Sequence, residues 1–453
     1  MSALLYTLGL VTFFVAILAS IGLHELGHMI PAKKFGGKVT QYFIGFGPTV
    51  WSKQVGETEY GVKAIPLGGY VKIVGMLPPG ADDLVDEVDY ESAGNQVLKV
   101  RKSNTGMFTQ LISDARAAEW ELVKPEDSDR LFYKLAWWKK VIVMAGGPSV
   151  NIAIAFFLFW GVFSTYGQKS IEPEAGQPVV QSVSACVLAY EDEGRDCTAD
   201  DPISPAAEAG LLPGDTITTF NGTSVADWDQ LRQLIRDNDN GVVQLGYVRD
   251  GQTRTGTTST TVQARPTSTT DETLTQVGFL GVTPTARLVT ETGGPIYTVE
   301  QMGSMAVDTA EALIHLPAKV FDVGQAIIGL EDRAADSPVS IVGGGRLAGE
   351  TASSDTFPAA EKFVFLLMLV AGFNFFIGIF NFIPLLPLDG GHIASALWEA
   401  VRRGVARIRG RPDPGYVDAA KLLPVAYVVA SALLVMGVVL IVGDLVVPLH
   451  LES

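Results

Sequence analysis

Two cysteines and five histidines are all that 453 residues offer of thiol and imidazole. The cysteines, Cys186 and Cys197, have no ligand-type neighbours that would make a zinc knuckle. Charge is also scarce. Only 18% of residues are charged, and 33 Lys and Arg stand against 49 Asp and Glu, a formal net charge of −16. No basic patch stands out, which argues against a nucleic-acid partner because phosphate binding needs clustered cations. There is no internal repeat. The 24 Pro and 48 Gly form no repetitive run, so the chain is neither collagen-like nor broadly disordered. Length alone suggests two to four domains.

The chain is rich instead in uncharged apolar runs: residues 2–23, 141–166, 363–388 and 422–443. Each is long enough to cross a ~30 Å hydrocarbon core at ~1.5 Å per residue. The first lacks the positive start of a cleaved signal and reads as a retained signal anchor. Lys33, Lys34 and Lys38 follow the first run, Lys139 and Lys140 precede the second, and Arg402, Arg403, Arg407, Arg409, Arg411 and Lys421 lie between the third and fourth. Such flanks face the cytoplasm. The loop 167–361 and both termini are then expected outside. That loop holds 11 Lys and Arg against 28 Asp and Glu, so the acidic excess is one exported segment. Both cysteines fall in it, where an oxidising compartment permits a disulfide worth roughly 2–3 kcal/mol. The alternative is two unrelated thiols.

His24-Glu25-Leu26-Gly27-His28 closes the first run. On a helix, positions i and i+4 share a face, so both imidazoles can reach one Zn²⁺, and Glu25 can serve as base toward water. Ionisable groups beside an apolar span are costly and point to function. Catalytic zinc takes three protein ligands. His315 and His450 are on the wrong side of the membrane by the topology above. Asp389, in the stretch Asn381 to His392, lies at the cytoplasmic end of the third span and matches the depth of His24 and His28. Pro384 and Pro387 interrupt a regular helix there, and Gly390 and Gly391 let the chain unwind to aim a carboxylate. His392 is the competing ligand.

HELGH on a first span and NFIPLLPLDGG on a late one resemble the site-2 protease family of intramembrane zinc metalloproteases, in the form of the bacterial regulator-of-sigma-E protease. Gly45-Phe-Gly-Pro48, Ile65 to Val71, and Ala145-Gly-Gly-Pro148 with Asn151 are further family-like pieces in the same order. The resemblance covers most of the chain. It implies that His24, His28 and Asp389 bind zinc, that Glu25 activates water, and that Asn381 steadies the scissile carbonyl or its oxyanion; a helix–helix hydrogen bond is the other reading of Asn381. The commonest family form has the second proline one position before Pro387. Residues 57–75 read as short strands broken by Pro66 and by Gly68-Gly69. By the resemblance they form a membrane-associated β-hairpin whose edge, at Gly68, Gly69, Tyr70 and Val71, takes an extended substrate by strand addition. A hairpin that only supports the zinc site is the alternative.

Ser204 to Asp215, Ile217 to Gly222 and Trp228 to Ile235 resemble one PDZ domain of the bacterial protease type. It would dock the new C-terminus of a precleaved substrate or exclude bulky ectodomains. The expected fold is a polytopic α-helical membrane protein with four transmembrane helices, a membrane-associated β-hairpin region and an inserted extracytoplasmic PDZ domain. Its segments are a first span with HExxH (1–32), the hairpin region (33–76), a cytoplasmic insertion and interfacial anchor (77–140) and a second span (141–166). The PDZ-like domain (167–290), an amphipathic helical region (291–361), a third span with LDG (362–392), a cytoplasmic loop (393–421) and a fourth span (422–447) follow. The acidic run from Asp82 to Glu91 reads as a solvated face, and Phe132, Trp137 and Trp138 beside Lys139 and Lys140 as the anchor. Met302, Met305, Leu313, Leu316, Val320 and Phe321 read as packing positions. The implied activity is zinc-dependent cleavage, within the lipid bilayer, of single-pass proteins such as anti-sigma factors and residual signal peptides after a first ectodomain cut. The enzyme would sit in the cell membrane with its active site near the cytoplasmic face. A PDZ-bearing membrane adaptor with a degenerate metal site is the alternative from another class.

Overall fold

The computed structural model describes residues 2–78, 107–120, 123, 125–190, 195–266 and 274–449. His450 and the acidic run at 82–91 lie outside the described residues. The chain divides into two compact units, Gly167–Thr292 and the segments before and after it.

Helix α1 (Ser2–Lys34) continues the first apolar run through HELGH and ends on Lys33 and Lys34, cations placed against the negative helix terminus. Strands β1 (Val39–Val55) and β2 (Thr58–Ile73) are both bent. Residues 41–44 pair with 59–62 on one side and with 69–72 on the other. The hairpin thus becomes a small sheet whose edge is the last part of β2. Gly68 sits at φ +92°, a left-handed conformation that glycine takes without strain. Tyr42 fastens the sheet to α1 by donating to the Gly22 carbonyl at 2.7 Å. Of the expected insertion, helix α2 (Met107–Trp120) is described.

Helix α3 (Trp137–Thr165) carries the second run. It meets α1 at glycines: a Cβ on Gly146 would stand 2.0 Å from the Gly27 carbonyl oxygen. The expected anchor is only partly at the surface. Trp137 and Trp138 are exposed, but Phe132 is buried, and Lys140 is enclosed in a 2.7 Å ion pair with Glu399. Burial of a lysine is tolerated because a carboxylate meets it.

The inserted unit contains β3 (Gln168–Pro173), β4 (Val180–Val183), α4 (Pro205–Glu208), β5 (Thr216–Phe220), β6 (Thr223–Ser224), α5 (Trp228–Arg236), β7 (Val242–Arg249) and β8 (Gln252–Ser259), then β9 (Thr261–Pro266), β10 (Leu274–Phe279), β11 (Val282–Pro284) and β12 (Ala286–Glu291). Strands run β6-β5-β7-β8 in one antiparallel sheet, with β3–β12, β4–β11 and β9–β10 as pairs. Asn221 and Gly222 both have positive φ, the geometry of a tight two-residue turn between β5 and β6. Asp227 caps α5, and Trp228, Leu231 and Ile235 turn into a core with Ile217, Leu245 and Leu280. A disulfide joins Cys186 and Cys197.

Asp215 in this unit is fully buried, accepts the Leu212 N–H and is paired with Arg249 at 2.7 Å. Burial pushes its carboxyl up, but the Arg249 guanidinium and the Leu212 N–H outweigh that and hold it below the usual carboxylate range. A depressed folded pKa gives stability that is complete above the unfolded value of about 3.9 and is lost as pH falls through the lower folded value. In the full chain, amide exchange across residues 211–217, corrected for intrinsic rate, should accelerate between pH ~5 and ~3 more in wild type than in Asp215→Asn. Equal acid sensitivity would remove this pair from the account.

Helix α6 (Pro295–Ile327) follows and joins the other unit. Met302 and Val320 are buried as expected, whereas Phe321 is 67% exposed. Helix α7 (Ile341–Ser353) lies along the first half of α1, because Gly344, Gly345 and Gly349 let it close on Phe13, Phe14 and Tyr6. Its start is clamped by Asp444, which accepts from Arg333 and from the Ser340 N–H. The expected third span, 362–392, divides in two: helix α8 (Ala359–Asn381) stops, seven residues form a loop with a cis Leu386–Pro387 bond, and α9 (Asp389–Ile408) begins on the aspartate. Both prolines fall in the loop, since neither can continue a helix that needs its N–H. Helix α10 (Leu423–Val446) is the last described helix. Among the described residues, four helices are long and apolar enough to cross a membrane: Ser2–Lys34, Trp137–Thr165, Ala359–Asn381 and Ala419–Val446. The protein is a multi-pass membrane protein.

Candidate active site

The HELGH turn stays helical, so His24 and His28 project from one face of α1. Asp389 reaches the same point from the first turn of α9. Its approach depends on glycine: a Cβ on Gly390 would lie 2.1 Å from the Ile383 carbonyl oxygen, and one on Gly391 2.5 Å from the Leu386 nitrogen. The helix therefore starts folded tightly over its own loop. His24 Nε2 and His28 Nε2 are 3.2 Å apart, and Asp389 Oδ2 lies 3.4 Å from the first and 3.3 Å from the second.

These distances test the fit of a metal. Donors about 2.0–2.1 Å from a tetrahedral zinc stand roughly 3.3–3.4 Å from one another, so the three atoms occupy three corners of such a site and leave the fourth open. The tautomer agrees. His28 Nδ1 is 2.8 Å from the Val143 carbonyl, which can only accept, so Nδ1 carries the proton and Nε2 keeps its lone pair. His24 Nδ1 is buried without a partner among the described residues. Space is the last requirement. Gly147 of α3 abuts both rings, and a Cβ there would be 2.2 Å from His28 Nε2 and 2.7 Å from His24 Nε2.

The three donors open into a cavity of about 700 Å³ that also takes in Glu25 and Asn381. Glu25 is 9% exposed and lies against the sheet edge, where a Cβ on Gly69 would come within 3.0 Å of its Cγ. Gly68, Gly69, Tyr70 and Val71 all line the cavity. Asn381 Nδ2 donates one hydrogen to the Ile377 carbonyl in its own helix, leaving its second hydrogen for another acceptor. A helix–helix hydrogen bond is instead made by Asn374, which donates to Ser20 at 3.0 Å. His392 lines the cavity but is not one of the three clustered donors. His315 is exposed on α6. Sequence reasoning had no means of finding the Val143 carbonyl, a backbone group. The Gly146-Gly147 pair was visible as a motif without its reason.

Residues 12–412 match the family model described as peptidase family M50. The chain is 34% identical over 462 residues to zinc metalloprotease Rip1 of Mycolicibacterium smegmatis, covering 99% of this chain and 100% of the relative. It is 33% identical to zinc metalloprotease Rip1 of Mycobacterium tuberculosis, over 99% and 100%. To the regulator of sigma-W protease RasP of Bacillus subtilis it is 23% identical, over 86% of this chain and 90% of the relative. With its candidate metal donors, its cavity and its apolar spans arranged as above, the chain belongs to peptidase family M50, the site-2 proteases, and is a metallopeptidase of zinc.

Proposed function

We propose that this protein cuts single-pass membrane proteins within or beside their membrane segment, after an earlier cut has removed the ectodomain. The observation that carries this is the position of the donor triangle, with His24 and His28 on one apolar span and Asp389 just past the end of another, and with the outer edge of β2 beside Glu25. A peptide bond in a helix is shielded by its own hydrogen bonds, so a substrate must unwind. The edge at residues 69–72 offers main-chain groups to an extended segment. His24, His28 and Asp389 would hold zinc, which when bound supplies Lewis acidity at the scissile carbonyl and the attacking water. Glu25 takes the water's proton on its carboxylate and passes it to the leaving nitrogen. Asn381 donates its remaining Nδ2 hydrogen to the carbonyl oxygen as charge develops there.

The cations flanking the spans support an active site near the cytoplasmic face, with the inserted unit and both termini outside. The inserted unit reads as a PDZ-like domain. A groove of about 170 Å³ lies between α5 and β11, bounded by Trp228, Ile235, Leu280 and Val282, and suits either an extended C-terminus or a gating role. Kinship with a protein named as a regulator of sigma-W protease favours anti-sigma factors as substrates, with residual signal peptides beside them. An adaptor with a degenerate metal site would not keep the three donors at ligand spacing.

In proteoliposomes, wild-type protein should cut a single-span peptide, stop when zinc is chelated and recover when zinc is returned. Cleavage indifferent to the chelator would end the metal-dependent reading. A compartment reporter fused after residue 250 should read as external, and a cytoplasmic signal would reverse the orientation.

A further inference from the structure

One buried side chain of the cavity has no part in that mechanism. Asn151 lies on α3, one turn beyond Gly147 and two beyond Val143, on the face that meets the histidines. It is 2% exposed and lines the cavity, and its Oδ1 is buried with no hydrogen-bond partner among the described residues. Buried polar groups are nearly always bonded, so an orphan on a residue that lines a cavity points to a partner that enters it. Asn374 carries a buried Oδ1 of the same kind, without a partner among the described residues, but its Nδ2 is committed to Ser20 and Val370 and it does not line the cavity.

Distance then says what Asn151 can meet. Four residues of α-helix advance about 6 Å, so its Cα stands that far along α3 from Gly147, which touches both metal-binding rings. An extended peptide advances about 3.3 Å per residue. The amide is therefore about two residues from a bond held at the metal donors. A carboxamide both donates and accepts, matching the N–H and C=O of a main chain whatever the side chains are. We propose that Asn151 is a substrate-binding residue that hydrogen-bonds the backbone of the extended substrate about two residues from the cut. It holds the strand from the α3 side, while the β2 edge pairs with it along its own length. This rests on the protease reading above.

The test is a double cycle between the protein and the backbone of a synthetic single-span peptide, in detergent micelles with zinc present. Each amide near the cleavage site is replaced in turn by an ester, which removes one N–H. In wild type, an ester at one position about two residues from the cut should lower kcat/KM about tenfold, the size of one lost hydrogen bond. Asn151→Leu, of similar volume, should lower kcat/KM for the all-amide peptide about tenfold and show no further loss at that ester. Esters opposite the β2 edge should affect both proteins equally. Zinc content and melting temperature should match wild type, because the side chain has no hydrogen-bond partner among the described residues. If leucine disturbs either, Asn151→Ala carries the same cycle. Independent, multiplying losses, or an Asn151→Leu protein as fast as wild type, would overturn the assignment. Wild type that leaves the all-amide peptide intact would instead sink the protease reading itself.

Discussion

Glu25→Gln should lower peptide cleavage by roughly 100- to 10,000-fold while leaving one zinc per chain and an unchanged melting temperature. Glutamine keeps the size and polarity of the side chain, so its packing against the β2 edge at Gly69 survives. What it loses is the capacity to hold a proton taken from water and return it to the leaving nitrogen. The donors His24, His28 and Asp389 are untouched, and metal content separates a chemical defect from a structural one. Full activity in the variant would require a different base, and no other carboxylate except Asp389 lines the cavity among the described residues.

Gly147→Ala should be as severe for the opposite reason, by removing the metal and sparing the base. Its methyl carbon would stand 2.2 Å from His28 Nε2 and 2.6 Å from His28 Cε1, inside any tolerable contact. The imidazoles must then move by about 1 Å, enough to break a site that tolerates about half that displacement. Zinc affinity should fall at least ~100-fold, more than is typical for losing an outer-shell partner. Equilibrium dialysis would measure this directly. Gly161→Ala on the same helix is the control, since nothing lies within 4 Å of the added carbon. Normal zinc binding by the alanine variant at 147 would mean that α3 does not press on the rings as described.

The spans and the clustering of His24, His28 and Asp389 were legible in the sequence for simple reasons. Uncharged runs of helix-spanning length have few other uses, and i, i+4 histidines on such a run can converge on one ion. Asp389 followed from direction of crossing. Other features depend on where partners lie. The break after Asn381 was signalled by prolines, but the start of α9 on Asp389 itself depends on Gly390 and Gly391 closing over the preceding loop. Lys140 carried the signature of an interfacial cation, and only Glu399, far away in sequence, makes it a buried one. Residues 341–353 gave no hint that they lie along α1, because three glycines record permission for contact without naming the neighbour.

The donor triangle has a thermodynamic meaning besides its chemical one. Two donors belong to the first helix and the third opens a helix near the far end of the chain, so an ion held by all three would tie together segments far apart in sequence. Any ligand that binds only the assembled state raises its stability in proportion to the logarithm of ligand concentration over its dissociation constant. Zinc supply and helix assembly become one coupled equilibrium: a cell short of the ion would hold fewer competent molecules and also less durable ones, a built-in quality check on a protease confined to the membrane.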